Sequence, residues 1–176
     1  FEAPDIFEEA ILRAAWAASL MECPLLVWGA PTSRQRGDMS ISEAQDKATP
    51  VLRRICDTLR SMNITLLMEH NPVAYQCDWG TTPQEVMNIV RAVDHPNFGL
   101  HLDGGGLLGQ LSMEKTASHL HVSELGLKGY KNRIFHRELM RMAVIDGLPW
   151  VSLEMLRGDD RMQCILEFME DWGSVQ

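Results

Sequence analysis

The 176 residues fall within the range of one domain, and a chain that is 45 % hydrophobic and 23 % charged has the composition of a globular protein able to bury a core. A formal net charge of −8 offers no general attraction for phosphate backbones, and no Lys/Arg run interleaved with aromatics supplies a local one, so no nucleic-acid partner is expected. The longest apolar stretches, such as Pro24 to Trp28, fall far short of the roughly 20 residues of a bilayer-spanning helix, and no charged-then-apolar leader opens the chain; no membrane partner and a cytoplasmic location are expected.

The chain begins Phe1-Glu2-Ala3-Pro4, without an initiator Met and next to a helical pattern, so a longer natural polypeptide is expected. Asp5 can cap a helix through about Met21, because Ile6, Ala10, Ile11, Ala14, Ala17, Ala18 and Met21 recur at spacings of three and four; Cys23-Pro24 stops it. Leu25 to Trp28 reads as a short buried strand ending in Gly29-Ala30-Pro31, followed by a polar loop from Thr32 to Ser40. Ser42 opens a second helix to about Met62. The alternation then repeats: strand Ile64 to Met68, helix Pro83 to Ala92, strand Phe98 to Leu102, a short helix near Leu111 to Thr116, and strand His119 to Val122. A long helix from Asn132 to Asp146, strand Trp150 to Leu153 and a last helix from Asp160 to Trp172 complete it.

Strands that are nearly continuous apolar runs, each separated from the next by a helix, predict a parallel sheet covered by helices through right-handed crossovers, an α/β protein. No Gly-x-Gly-x-x-Gly or Walker sequence follows any strand, and Gly104-Gly105-Gly106 is a glycine run of another kind, so dinucleotide and triphosphate cradles are unsupported. Cys23, Cys56, Cys77 and Cys164 are scattered without a CxxC pair, which predicts reduced structural thiols.

Four ionisable residues stand at or near the carboxyl ends of apolar strands: Glu69 after Leu66-Leu67-Met68, Asp103 after Leu100-His101-Leu102, His121 in His119-Leu120-His121-Val122, and Glu154 after Val151-Ser152-Leu153. Parallel α/β proteins place their chemistry there. Alternation along a strand puts Glu69 on a face with Leu67, Asp103 with His101, His121 with His119, and Glu154 with Ser152. Three carboxylates converging on a dry strand-end pocket would repel and protonate unless a cation held them. Three oxygens and one nitrogen suit Mn²⁺, Mg²⁺, Co²⁺ or Zn²⁺.

These stretches, together with Val27-Trp28-Gly29-Ala30-Pro31 and Arg34, Met68-Glu69-His70-Asn71-Pro72 and Tyr75, His119-Leu120-His121-Val122-Ser123-Glu124, and Trp150 to Met155, resemble the xylose-isomerase-like sugar phosphate isomerase/epimerase superfamily. That group includes D-tagatose and D-psicose 3-epimerases. The resemblance covers nearly the whole chain and implies the carboxy-terminal portion of a (β/α)8 TIM barrel, about the last five βα units, as a single partial domain over residues 1–176. It further implies a metal, Mn²⁺ first among the four ions, held by Glu69, Asp103, His121 and Glu154. His121 rather than His119 is chosen because the family's ligand is the second His of its His-x-His.

The implied reaction is isomerisation or epimerisation of a sugar or sugar phosphate. The metal binds a carbonyl and an adjacent hydroxyl, a proton leaves carbon, and an enediolate follows, with Glu69 and Glu154 as base and acid. Arg34 and Arg36, on the loop after the first strand, are candidates for a phosphate or carboxylate. Asn71, Tyr75, Ser123, Glu124 and Lys128 are candidates for substrate hydroxyls. His101 and His119 are expected in the core, His70, His95 and His136 at the surface or behind the ligands. Trp16, Trp28, Trp79, Trp150 and Trp172 are expected to pack rather than serve as a sugar platform, with Trp79, after Asp78 on a long loop, the one worth testing for that role.

The chain departs from the family where a substrate-contacting His is replaced by Gly106, and where the Asp103 to His121 interval is much shorter than its neighbours, so that one βα unit is abbreviated. Without the first three βα units, the first and last strands would have exposed edges, which invites completion by an amino-terminal segment or by a second copy in a homo-oligomer. The alternative to an enzyme is a binding or scaffold protein that retains the metal site.

Overall fold

The computed structural model describes residues 4–109, 117–158 and 160–176. Along the chain come α1 (Pro4–Leu20), β1 (Leu25–Trp28), α2 (Ile41–Ser61), β2 (Thr65–Glu69), α3 (Pro83–Val93), β3 (Phe98–Asp103), β4 (Ala117–Ser123), α4 (Arg133–Ile145), β5 (Ser152–Glu154) and α5 (Arg161–Val175), with 3-10 turns at Pro31–Arg34, Val73–Tyr75 and Leu125–Leu127. The strands lie in the sheet in the order β1-β2-β3-β4-β5. The chain forms two compact units, one ending at Leu100 and the other beginning at His101.

In the first unit β1 pairs with β2 in parallel, Leu25 opposite Thr65 and Trp28 opposite Met68. The helix α2 covers β2 because Ala44, Ala48, Val51, Leu52, Ile55, Cys56 and Leu59 recur on one side and are buried. Pro50, which cannot donate to the helix ladder, sits on the exposed side. The start of α2 is a capping box. The Ser40 hydroxyl accepts from Glu43 N–H at 3.2 Å, and the Glu43 carboxylate accepts from Ser40 N–H at 2.8 Å. The cap lies two residues before Ser42, where the apolar spacing begins the helix, because the reciprocal pair adds a turn that apolar spacing does not register. Ser40→Ala is expected to lower stability by about 1 kcal/mol, read as a shift in the urea midpoint.

Helix α3 is closed at both ends. Thr82 accepts from Glu85 N–H and Pro83 occupies the first turn, while the Arg53 guanidinium of α2 donates to the carbonyls of Ala92 and Val93 at 2.8 and 2.7 Å.

In the second unit β4 pairs with β5 in parallel, His121 opposite Ser152 and Ser123 opposite Glu154. Leu139, Met140 and Ala143 are buried on α4, which packs on β4 and against α5. A polar clamp ties α4 to α5. The buried Asp171 carboxylate accepts from the Tyr130 hydroxyl at 2.8 Å and from the Arg133 guanidinium at 2.8 and 2.6 Å. Tyr130 in turn stacks on buried His136 with ring centroids 4.9 Å apart.

The expected short helix near Leu111 to Thr116 lies outside the described residues. Trp150 falls outside β5, where it is nearly half exposed. His70 and His136 are buried, which removes the surface placement and leaves the one behind other side chains. Trp79 is buried edge-on to Trp28, centroids 6.3 Å apart, which removes it as an exposed sugar platform. The four cysteines are free, as expected of structural thiols, and only Cys23 is exposed. Among the described residues no helix is long and apolar enough to cross a membrane.

Candidate metal centre

In the second unit, three strands deliver three candidate ligands. Asp103 is the last residue of β3, His121 lies in β4 and Glu154 ends β5. Each offers one ligand atom, and the three atoms lie within 4.8 Å of one another. The His121 Nδ1 is 3.2 Å from Glu154 Oε2. The Glu154 side chain is 44 % exposed and that of His121 18 %, so the group opens to solvent on the Glu154 side, while Asp103 forms its buried floor.

Asp103 is held from both oxygens. The Gly106 N–H donates to Oδ2 at 2.7 Å, and the Ser123 hydroxyl donates to Oδ1 through a short contact. The same hydroxyl accepts from Gly105 N–H at 2.8 Å. The glycine run makes this turn fit. A Cβ on Gly105 would stand 2.8 Å from the backbone of Glu124, and one on Gly104 would stand 3.1 Å from the Ser123 carbonyl oxygen. Two accepted hydrogen bonds leave further carboxylate lone pairs for a cation.

Around His121 lie two more imidazoles. His101, fully buried as expected of a core residue, is edge-on to His121 with centroids 4.2 Å apart. His119 is 5.5 Å from His121 and its Nε2 is 3.0 Å from the Ser152 hydroxyl. Burial, and then the neighbouring His121, push the His119 pKa down to about 4, so it is a neutral ring at ordinary pH.

Glu69 belongs to the first unit, at the end of β2. Its Oε1 is 3.3 Å from the buried Asn71 amide nitrogen, and a Cβ on Gly29 would stand 2.8 Å from its Oε2. Arg34 was expected on a loop, reaching for an anion. It is instead fully buried, with its guanidinium over the Trp28 ring at 5.4 Å and donating to the Glu69 carbonyl. Burial holds it below its ordinary pKa, opposed by Cys77, Glu69 and Glu85. Arg36 is likewise engaged, its N–H and Nε donating to the side chain and carbonyl of Asp78.

Glu124 was a candidate for substrate hydroxyls, but its Oε1 accepts from the N–H groups of Lys131 and Asn132 at 3.0 and 2.6 Å and faces His136 Nε2 at 2.9 Å. Burial alone would raise its pKa; those three contacts outweigh it and lower it. The carboxylate thus anchors the turn before α4. Tyr75 is half-buried and Lys128 exposed, leaving both at positions a ligand can reach. Ser123, also expected at a substrate, is buried and occupied with Asp103. The part played by Gly105 and Gly106 N–H groups was not foreseen, since backbone donors leave no side-chain signature.

A family profile described as xylose isomerase-like TIM barrel matches residues 6–153. Among solved structures, a D-psicose 3-epimerase from Clostridium cellulolyticum H10, solved with D-tagatose, superposes with TM-score 0.69 at 16 % identity, covering 99 % of this chain and 71 % of that one. A 3-keto-D-glucoside 4-epimerase from E. coli gives 0.69 at 13 % identity, covering 96 % and 69 %. An AP endonuclease, family 2, from Brucella melitensis gives 0.74 at 17 % identity, covering 96 % and 69 %. No curated protein sequence matches the chain. At these identities the superpositions speak for the fold, a portion of a TIM barrel. The profile spans well over half of the residues, and the chain therefore belongs to the xylose isomerase-like TIM barrel family.

Proposed function

We propose that this chain carries the site of a divalent-metal-dependent isomerase or epimerase acting on a sugar, sugar phosphate or related polyol. The observation that carries the reading is the convergence of Asp103, His121 and Glu154, one ligand atom each within 4.8 Å, at or near the carboxyl ends of three strands. A mixed carboxylate and imidazole set with an already fixed Asp suits a divalent cation, Mn²⁺ before Mg²⁺, Co²⁺ or Zn²⁺. Glu69 is the fourth ligand in this reading, by its place at the end of β2 and by resemblance.

When bound, the metal would supply Lewis-acid polarisation of a substrate carbonyl and hydroxyl. The chain's own groups do the proton work. Glu69, steadied by Asn71 and by the Arg34 contact at its carbonyl, takes a proton from carbon. Glu154, whose side chain is 44 % exposed, returns one. Tyr75 and Lys128 contact substrate hydroxyls or a phosphate. Arg34, Asn71 and Glu124 act behind the pocket instead, because each is buried or already spent on protein groups.

The second reading, a binding module that keeps the metal, is favoured by one observation. Position 106 offers only a backbone N–H, and Asp103 takes it. Both readings are separated by incubating the chain with Mn²⁺ and a panel of ketoses and ketose phosphates in D₂O. Deuterium incorporation at carbon beside the carbonyl supports the enzyme; stoichiometric metal by plasma mass spectrometry with no exchange on any sugar supports the binding module. Absence of bound metal sinks both.

A further inference from the structure

The metal reading assigns ligands but leaves open what fixes their geometry before a cation arrives. We propose that Ser123 is the positioning residue of the site: its hydroxyl joins the backbone N–H of Gly105 to Asp103 Oδ1 and so holds the carboxylate in its ligating rotamer. This inference rests on the metal-dependent reading above.

Ser123 is the last residue of β4, 2 % exposed, and paired in register with Glu154, so it lies beside two of the candidate ligands at once. A hydroxyl has one proton to give. Here it goes to Asp103 Oδ1, while a hydroxyl lone pair accepts from Gly105 N–H at 2.8 Å. With Gly106 N–H on Oδ2 at 2.7 Å, neither carboxylate oxygen can rotate without breaking a hydrogen bond. The backbone is fixed as well, because Gly104 N–H donates to the His121 carbonyl at 2.9 Å, which locks the Asp103 end of β3 to the strand that carries His121.

The consequence is energetic. A free aspartate would surrender rotamer freedom on binding a cation, and its negative charge would have to be held near Glu154 without support. Ser123 places that ordering in the folded chain. It touches no substrate in this scheme, so its removal acts on metal affinity first and on turnover only through the metal.

The test is titration of the whole chain with Mn²⁺ alone, followed by calorimetry, for wild type and for Ser123→Ala, Ser123→Cys and Ser123→Thr. Ser123→Ala is expected to weaken Mn²⁺ binding by about 10- to 100-fold, the range found when a group supporting a metal ligand is lost. Ser123→Thr, which keeps the hydroxyl, restores affinity to within a few-fold of wild type, and the visible spectrum of the Co²⁺-loaded chain shifts in the Ala variant but not in the Thr variant. Ser123→Cys, of similar volume and with a weak thiol donor, stands in if the Ala variant does not fold, and is expected to be weakened too. Unchanged affinity in the Ala or Cys variant, with wild type binding normally, overturns the role of Ser123 and leaves the metal reading intact. A wild-type chain that takes up no Mn²⁺ overturns both.

Discussion

Replacing Glu69 and Glu154 together by Gln is expected to abolish proton exchange on the responsive sugar, with each single change lowering the rate by at least about 100-fold. The amide keeps the volume and most hydrogen-bonding capacity of the carboxylate, so the fold should survive while base strength and negative charge are lost. Glu154 stands 3.2 Å from His121 Nδ1 and is partly exposed, so Glu154→Gln should weaken Mn²⁺ binding as well as turnover. Glu69 is braced by Asn71 and by Arg34 at its carbonyl, so Glu69→Gln should keep its place, lose the ability to accept a proton and, as the fourth ligand of this reading, weaken Mn²⁺ binding too. Plasma mass spectrometry for bound metal and deuterium exchange for chemistry separate the two effects. Full metal occupancy and full exchange in the double variant would remove these residues from the mechanism.

Asp171→Asn is expected to destabilise the chain by about 2 kcal/mol at neutral pH, because hydrogen bonds to a charged group contribute about 1.5–3 kcal/mol and this buried carboxylate accepts from both Tyr130 and Arg133. Its pKa is held below the ordinary 3.8, first by the Arg133 hydrogen bond, against the opposing pull of burial, and then by Tyr130. The sign of the pH dependence follows. A depressed carboxylate contributes stability above its unfolded pKa and loses it as pH falls through the lower, folded value. The difference between wild type and Asp171→Asn should therefore be full at pH 5 and above and shrink in strong acid. Urea unfolding followed by circular dichroism across that range measures it; a gap that widened on acidification would contradict the assignment.

The strands and helices were legible because apolar spacing reports burial directly. The runs at Leu25 to Trp28 and Phe98 to Leu102 are nearly the observed strands, and α1, α3 and α4 begin and end within a residue or two of their patterns. The position of Glu69, Asp103 and Glu154 at strand ends was legible for the same reason: a charged residue closing an apolar run in a parallel protein has few other places to go. The inward contacts were not legible, and for one reason. Arg34, Glu124 and Trp79 look solvent-facing in a linear reading because they are polar or follow polar neighbours, but a buried guanidinium can be satisfied by a ring face and a distant carbonyl, and a carboxylate by backbone N–H groups several residues on.

From the order of its residues this protein is an α/β chain with Asp103, His121 and Glu154 at or near strand ends, because hydrophobic periodicity and chain order are local properties that each segment carries alone. Folding decided the rest: that the Gly106 N–H and a Ser123 hydroxyl held by Gly105 N–H grip Asp103, that Arg34 turns inward beneath Glu69, and that Asp171 binds α4 to α5. Those contacts join residues far apart in sequence through backbone donors and desolvated charges. Their energies exist only once water has been excluded from around them.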